Sequence, residues 1–254
     1  VTNPERILVV GATGSIGRLV TDRLAQLGYP VRALTRDVDR ARRVLGSDVE
    51  LASGDLADPQ SLTGALEGID SIVMTHGAPY GSNDYEAVDY GAVPAVLDAL
   101  AGRQAHVVLM SSIGVTESGG SSRDLLNWKR RGERLLRASS LPYTIVRPAW
   151  FEAGSGTEQR IDLQQGDRSG YGPVRREHVA ETLVQAVLSP DAASRTLEVY
   201  STNGAQLTDW NQAFAALAPD QPDALDGVRD RPGLPLDREP QLVRDDLKRW
   251  RSHS

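Results

Sequence analysis

Three glycines spaced three apart, in Gly11-Ala12-Thr13-Gly14-Ser15-Ile16-Gly17, lie between two patterned segments. Before them is the apolar run Ile7-Leu8-Val9-Val10; after them Ile16, Leu19, Val20, Leu24 and Leu27 recur at helical spacing. A strand, a glycine turn and a helix in that order leave few folds open. The first glycine permits a tight turn, the second lets the backbone approach a pyrophosphate, and the third lets helix and strand pack closely. The phosphates then sit at the positive end of the helix. No Gly-Lys-Ser/Thr follows, which excludes a nucleotide P-loop. The spacing therefore predicts a dinucleotide-binding turn, with Gly11, Thr13, Gly14, Ser15, Ile16 and Gly17 around the pyrophosphate.

The rest of the chain continues the alternation. Strands are expected at Arg6 to Val10, Val31 to Thr35, Val49 to Ser53, Ser71 to Thr75, Ala105 to Met110 and Tyr143 to Val146. Helices are expected at Ser15 to Leu27, Asp37 to Leu45, a segment ending at Leu100, and Arg123 to Ala138, with a short one opening at Asp58-Pro59. This order builds a parallel sheet covered by helices, an α/β doubly wound fold of Rossmann type. Beyond Pro148 the periodicity loosens. Gln159 to Gln165 and Leu197 to Tyr200 read as further strands, Arg175 to Leu188 as an amphipathic helix, and Gln241 to Trp250 as a closing helix. Five of the 14 prolines fall between Pro219 and Pro240, so that stretch reads as an extended connection. The expectation is a single NAD(P)-binding domain over 1–254, in which 149–254 supplies a small irregular substrate-binding part and a proline-rich tail.

Composition narrows the function classes. The 254 residues are 40% hydrophobic and 24% charged, enough for one large core or two modest ones. Without cysteine there is no disulfide framework, thiolate nucleophile or zinc ribbon, and a reducing cytoplasm is the expected location. No apolar run approaches the roughly 20 residues of a membrane span, and no basic-then-apolar leader opens the chain. The formal charge of −6, with scattered arginines, argues against nucleic acid as a partner. The 28 basic residues comprise 26 arginines and only two lysines, Lys129 and Lys248. Four isolated histidines, His76, His106, His178 and His253, lack metal-ligand spacing, and no G-x-S-x-G elbow is present.

Cofactor choice shows at the end of the second strand. An NAD-binding fold places a carboxylate there for the ribose 2′-hydroxyl, whereas this chain has Thr35-Arg36. A guanidinium forms charge-assisted bonds to a 2′-phosphate, which favours NADPH; the alternative is a solvated surface arginine. Asp55-Leu56, after Gly54, would bring a carboxylate near the adenine amino group, or would be a turn aspartate.

Taken together, the glycine turn, Leu34-Thr35-Arg36, Gly54-Asp55-Leu56, Met110-Ser111-Ser112 and Tyr143-Thr144-Ile145-Val146-Arg147-Pro148 resemble the atypical short-chain dehydrogenase/reductase family, in its NmrA-like branch. The resemblance covers about residues 5 to 200. It implies NADPH binding, with Thr75, His76 and Gly77 along the adenosine and ribose path. It also implies that Ser111 and Ser112 face the nicotinamide, flanked by Pro148 to Phe151. The best-known members carry Tyr-x-x-x-Lys, in which tyrosine moves the proton and lysine binds the ribose. Here the stretch is Leu125-Leu126-Asn127-Trp128-Lys129, so the lysine is present and the tyrosine is absent.

A positioned proton donor is worth about 10² to 10⁴ in rate. A reductase of simple ketones would suffer without one; a quinone would not, because its reduced anion is delocalised and is readily protonated by water, Ser112 or Lys129. The expected activity is hydride transfer from NADPH to a small aromatic or quinone substrate, with Lys129 and Ser112 catalytic. Trp128, Trp150 and Phe151 would stack on that substrate or else pack in the core. Some relatives tailor aromatic polyketides in antibiotic biosynthesis, where quinone reduction primes a net monooxygenation; the resemblance permits that role. A non-catalytic NADP(H)-sensing regulator is the rival reading, and monomer and homodimer are both left open.

Overall fold

The computed structural model describes residues 4–117, 119–120, 122–151, 157–168 and 172–251. In the serine- and glycine-rich segment after Met110, Ser118 and Ser121 lie outside the described residues.

Among the described residues the strands are β1 (Ile7–Val10), β2 (Val31–Thr35), β3 (Glu50–Ser53), β4 (Ser71–Met74), β5 (His106–Met110), β6 (Tyr143–Pro148), β7 (Arg160–Gln164) and β8 (Arg195–Thr202). They form one sheet in the order β3-β2-β1-β4-β5-β6-β8-β7, parallel throughout except for β7 against β8. The helices are α1 (Ser15–Gln26), α2 (Val38–Leu45), α3 (Ala92–Leu100), α4 (Arg123–Ala138), α5 (Arg176–Leu188), α6 (Trp210–Ala215) and α7 (Gln241–Arg251). This is the Rossmann-like α/β arrangement that the alternation predicts.

Pleating divides the apolar residues between two cores. Leu8 and Val10 of β1 join Ile72, Met74, Val107 and Leu109 against α3 and α4, whereas Ile7 and Val9 face Ile16, Val20 and Leu24 of α1 and Leu183 and Val184 of α5. Both faces are covered, so the strands read as continuous apolar runs rather than alternating ones. Because β1 pairs with β2 on one side and with β4 on the other, the strand order reverses beside β1. Ligands of doubly wound sheets bind in the crevice at such a point, outside the C-terminal strand ends.

Two strands run further than their apolar cores indicate. β6 continues through Arg147 to Pro148, and β8 begins at Arg195 and ends at Thr202. Polar Arg147 and Glu198 are wholly buried there, facing each other's charge with Nη1 to Oε1 at 3.4 Å. The chain also widens into a π-helical turn over Glu86–Tyr90, closed by Gly91 N–H donating to the Glu86 carbonyl at 2.9 Å, before α3 begins.

The proline-rich stretch is docked by charge. Arg134 of α4 donates from Nε and Nη2 to Asp226 at 2.9 Å and from Nη1 to Glu239 at 2.8 Å. Arg130 meets Asp226 at 3.0 Å, Arg131 meets Glu239 at 2.7 Å, and Arg147 grips both oxygens of Asp230 at 2.7 and 2.8 Å. Asp220 accepts from Tyr143, Thr196 and Arg137. Planar guanidinium forks make such bidentate burial possible, which a lysine cannot reproduce.

Candidate functional site: the glycine turn and the end of β4

Gly11 follows β1 directly and has φ +81°, a conformation that L side chains rarely adopt. A Cβ there would lie 3.0 Å from His76 N and from Thr75 Oγ1. A Cβ at Gly17 would lie 2.2 Å from the Gly11 carbonyl oxygen. Gly14 caps α1 without a side-chain hydrogen bond, and no acidic residue occupies the first turn, so the N–H groups around Ser15, Ile16 and Gly17 form an uncompensated positive end. Thr13 is half-buried and Ser15 is exposed, while Ile16 is buried in the core under the turn. Space kept clear by glycine and an open helix N-terminus fit the pyrophosphate of a dinucleotide.

At the adenosine end, Thr35 closes a turn with its hydroxyl, accepting from Asp37 N–H at 3.1 Å and donating to the Asp37 carbonyl at 3.0 Å. Asp37 caps α2 by accepting from Arg40 N–H. Arg36 between them is exposed at the C-terminal end of β2 and makes no ion pair among the described residues. Asp55 spends one carboxylate oxygen on Ala57 N–H at 3.0 Å, the turn role, and is half-exposed. Leu56 is half-buried against the α3–α4 core.

The end of β4 gathers the polar residues. Thr75 is buried and its hydroxyl donates to the Val10 carbonyl at 3.0 Å, locking β4 to β1 below the glycine turn. Next to it His76 is buried, and Gly77 is exposed. The Lys129 ammonium lies 2.7 Å from Asp89 Oδ1, with side-chain exposures of 13% and 0%. Asp89 Oδ2 accepts from Ala78 N–H at 3.2 Å, so one carboxylate ties α4 to the segment leaving β4. A Cβ on Gly77 would stand 3.5 Å from Asp89 Oδ1 and 3.8 Å from Lys129 Nζ, which places the pair directly behind that open backbone. Burial, reinforced by the Lys129 charge, lowers His76 from 6.5 to about 4. The ring is therefore neutral at neutral pH, and its Nδ1 is buried without a hydrogen-bond partner among the described residues.

Past β5, Ser111 is buried, and its Oγ has no hydrogen-bond partner among the described residues. Ser112 is half-buried and donates to the Ile113 carbonyl at 3.0 Å. Pro148 ends β6 as a buried residue. The three aromatics separate. Trp128 is 8% exposed, packed with its ring 5.7 Å from Tyr90 and under the Arg131 guanidinium at 4.3 Å, within the α3–α4 core. Trp150 and Phe151 are 44% and 39% exposed, with Arg176 5.2 Å over the Phe151 ring. His178 bonds Ser201 Oγ at 2.8 Å near the start of α5, a structural position.

Sequence reasoning misses Asp89. A lone carboxylate in Ala87-Val88-Asp89-Tyr90 carries no spacing signal, and its lysine lies far along the chain. Among the described residues no helix is long and apolar enough to cross a membrane.

Comparison with known proteins places the chain by family and fold. A family model described as NAD(P)H-binding matches residues 11–190. The chain is 35% identical to a (4-alkanoyl-5-oxo-2,5-dihydrofuran-3-yl)methyl phosphate reductase of Streptomyces griseus, over 57% of this chain and 48% of that protein, about half its length. It is 28% identical to an NAD(P)H azoreductase of Xenophilus azovorans, over 84% of this chain and 72% of the relative. The fold matches the crystal structure of the oxidoreductase ylbE from Lactococcus lactis with a TM-score of 0.70 at 20% identity, covering 84% and 96% of the two chains.

Proposed function

This chain belongs to the NAD(P)H-binding family, and from that membership we propose that it is an NADPH-dependent reductase of a conjugated carbonyl acceptor, most simply a quinone. The proposal includes the NmrA-like branch of the atypical short-chain dehydrogenases, a single domain over 1–254, and a reducing compartment such as the cytoplasm. The observation that carries it is Lys129, held by Asp89 behind Gly77 while Leu125 stands at the position of the missing tyrosine. The names of the azoreductase and furanone phosphate reductase relatives support reductive chemistry.

In this reading the backbone of Gly11, Gly14 and Gly17 holds the pyrophosphate, Arg36 the 2′-phosphate, and the second oxygen of Asp55 the adenine amino group. The cofactor, when bound, supplies a hydride. Lys129 binds the nicotinamide ribose and places a positive charge near the acceptor oxygen as that oxygen becomes anionic. Lys129, Ser112 and water are the protic groups from which the hydroquinone anion takes its proton. Exposed Trp150 and Phe151 offer flat faces to an aromatic acceptor. The proposal extends to net hydroxylation of such an acceptor, with molecular oxygen oxidising its reduced form.

The test is NADPH oxidation against a panel of naphtho- and anthraquinones, with and without oxygen. Turnover with members of the panel is the expected result. Tight NADPH binding with no turnover on any of them overturns the enzyme reading and favours a redox-sensing regulator.

A further inference from the structure

We propose that Asp89 is the positioning residue of this site, orienting Lys129 and His76 as a donor and acceptor pair for the diol of the nicotinamide ribose. The inference rests on the cofactor reading above and goes beyond it, because it assigns a role to a carboxylate that neither the glycine motif nor the Tyr-x-x-x-Lys pattern includes.

Three observations meet at this point. Asp89 is completely buried, yet one oxygen faces the Lys129 ammonium at 2.7 Å and the other accepts from Ala78 N–H at 3.2 Å. A buried carboxylate is costly unless its charge is matched, so this pair fixes the lysine head against the backbone that leaves β4. The contact is an ion pair in which Asp89 Oδ1 accepts no hydrogen bond among the described residues, so the three N–H donors of the ammonium are not spent on it, and Gly77 leaves the space in front open. Moreover, Asp89 belongs to the π-helical turn Glu86–Tyr90, and such turns concentrate at functional sites because they re-aim a side chain.

His76 supplies the complementary half. The ring lies within the influence of both Asp89 and Lys129, and a neutral imidazole has a single N–H. With that proton on Nε2, the buried Nδ1 is a bare lone pair. It has no partner among the described residues, and a polar atom left so is expensive unless a ligand completes it. A ribose diol does so: one hydroxyl donates to His76 Nδ1 while the other accepts from Lys129 Nζ. The backbone N–H of His76 would lie 3.0 Å from a Cβ on Gly11, which places this pair against the glycine turn and at the phosphate end of the same path.

The experiment is calorimetric titration of the full chain with NADPH and with adenosine 2′,5′-bisphosphate, which lacks the nicotinamide ribose. Asp89→Asn and His76→Phe are each expected to weaken NADPH about tenfold or more while holding the bisphosphate within about twofold of wild type. Equal loss of both ligands means a general structural role, and unchanged NADPH affinity means no role; either overturns the inference. If Asp89→Asn does not fold, His76→Phe and Lys129→Met carry the same comparison. The apo protein gives a second readout. The His76 ring, titrated by NMR, moves up from about 4 toward 6.5 in Lys129→Met, and an unmoved titration contradicts the coupling. Failure of wild type to bind either ligand overturns the cofactor reading itself, whereas wild-type binding with indifferent variants overturns only the role of Asp89.

Discussion

On the proposed reading, Arg36 selects between cofactors by charge. It is exposed, without an ion pair among the described residues, at the strand end where a carboxylate would favour NADH. Arg36→Asp is expected to weaken NADPH by about 10- to 100-fold and NADH far less, because charge-assisted bonds to the 2′-phosphate are replaced by repulsion. Equal losses in a fluorescence titration mean that the 2′-phosphate lies elsewhere. Gly17 makes a steric prediction: a Cβ 2.2 Å from the Gly11 carbonyl oxygen cannot be accommodated in place, so Gly17→Ala lowers both thermal stability and NADPH affinity. The sequence singles out residues of this kind because their types and spacings carry the chemistry proposed for them. Asp89 is not among them, since its proposed role depends on a π-helical turn and a partner on α4. Nor could spacing distinguish Trp128, which packs beneath Arg131, from Trp150, which remains exposed.

At the scale of elements, the strands and helices were legible because burial on both faces of the sheet leaves apolar runs punctuated by glycine and proline. The docking of the proline-rich stretch was not. Arg134 and Asp226 are 92 residues apart and leave no periodic trace. The arginine excess is partly explained by this ladder, in which Arg130, Arg131, Arg134 and Arg137 line α4 and Asp220, Asp226 and Glu239 come from the tail. Arg134→Met leaves Asp226 and Glu239 each with one remaining arginine. A loss of about 3 kcal/mol is expected in urea denaturation, at the lower end for breaking a buried pair. Proteolysis of the 219–240 segment should accelerate with it, and an unchanged midpoint would mean that the ladder contributes nothing to stability.

For the whole molecule, the buried titrating groups set the pH range of stability. Burial holds His76 and His106 near 4, so as pH falls from 6.5 to 4 the unfolded chain takes up protons that the folded chain refuses, and stability is lost. Burial raises Glu198 to about 7; there the folded state binds the proton first, which offsets part of that loss between pH 7 and 4.5. Burial would also raise Glu133, but Arg147 and Arg137 bring it down to about 2, and its contribution disappears as pH drops from 4.5 toward 2. The melting temperature is therefore expected to peak near neutrality, decline gently to about pH 4.5 and fall steeply below it. Glu198→Gln should be more stable than wild type at pH 8 but not at pH 5. The proposed active site lacks its usual proton donor, and one comparison of rates tests that claim most directly: kcat/KM for a quinone against a simple ketone of similar size, with NADPH, in wild type and in Leu125→Tyr. The account predicts that wild type favours the quinone by about 10² or more and that the tyrosine narrows the gap by accelerating the ketone. Comparable wild-type rates for the two acceptors would contradict it, because they would require a positioned proton donor that this reading says the site does without.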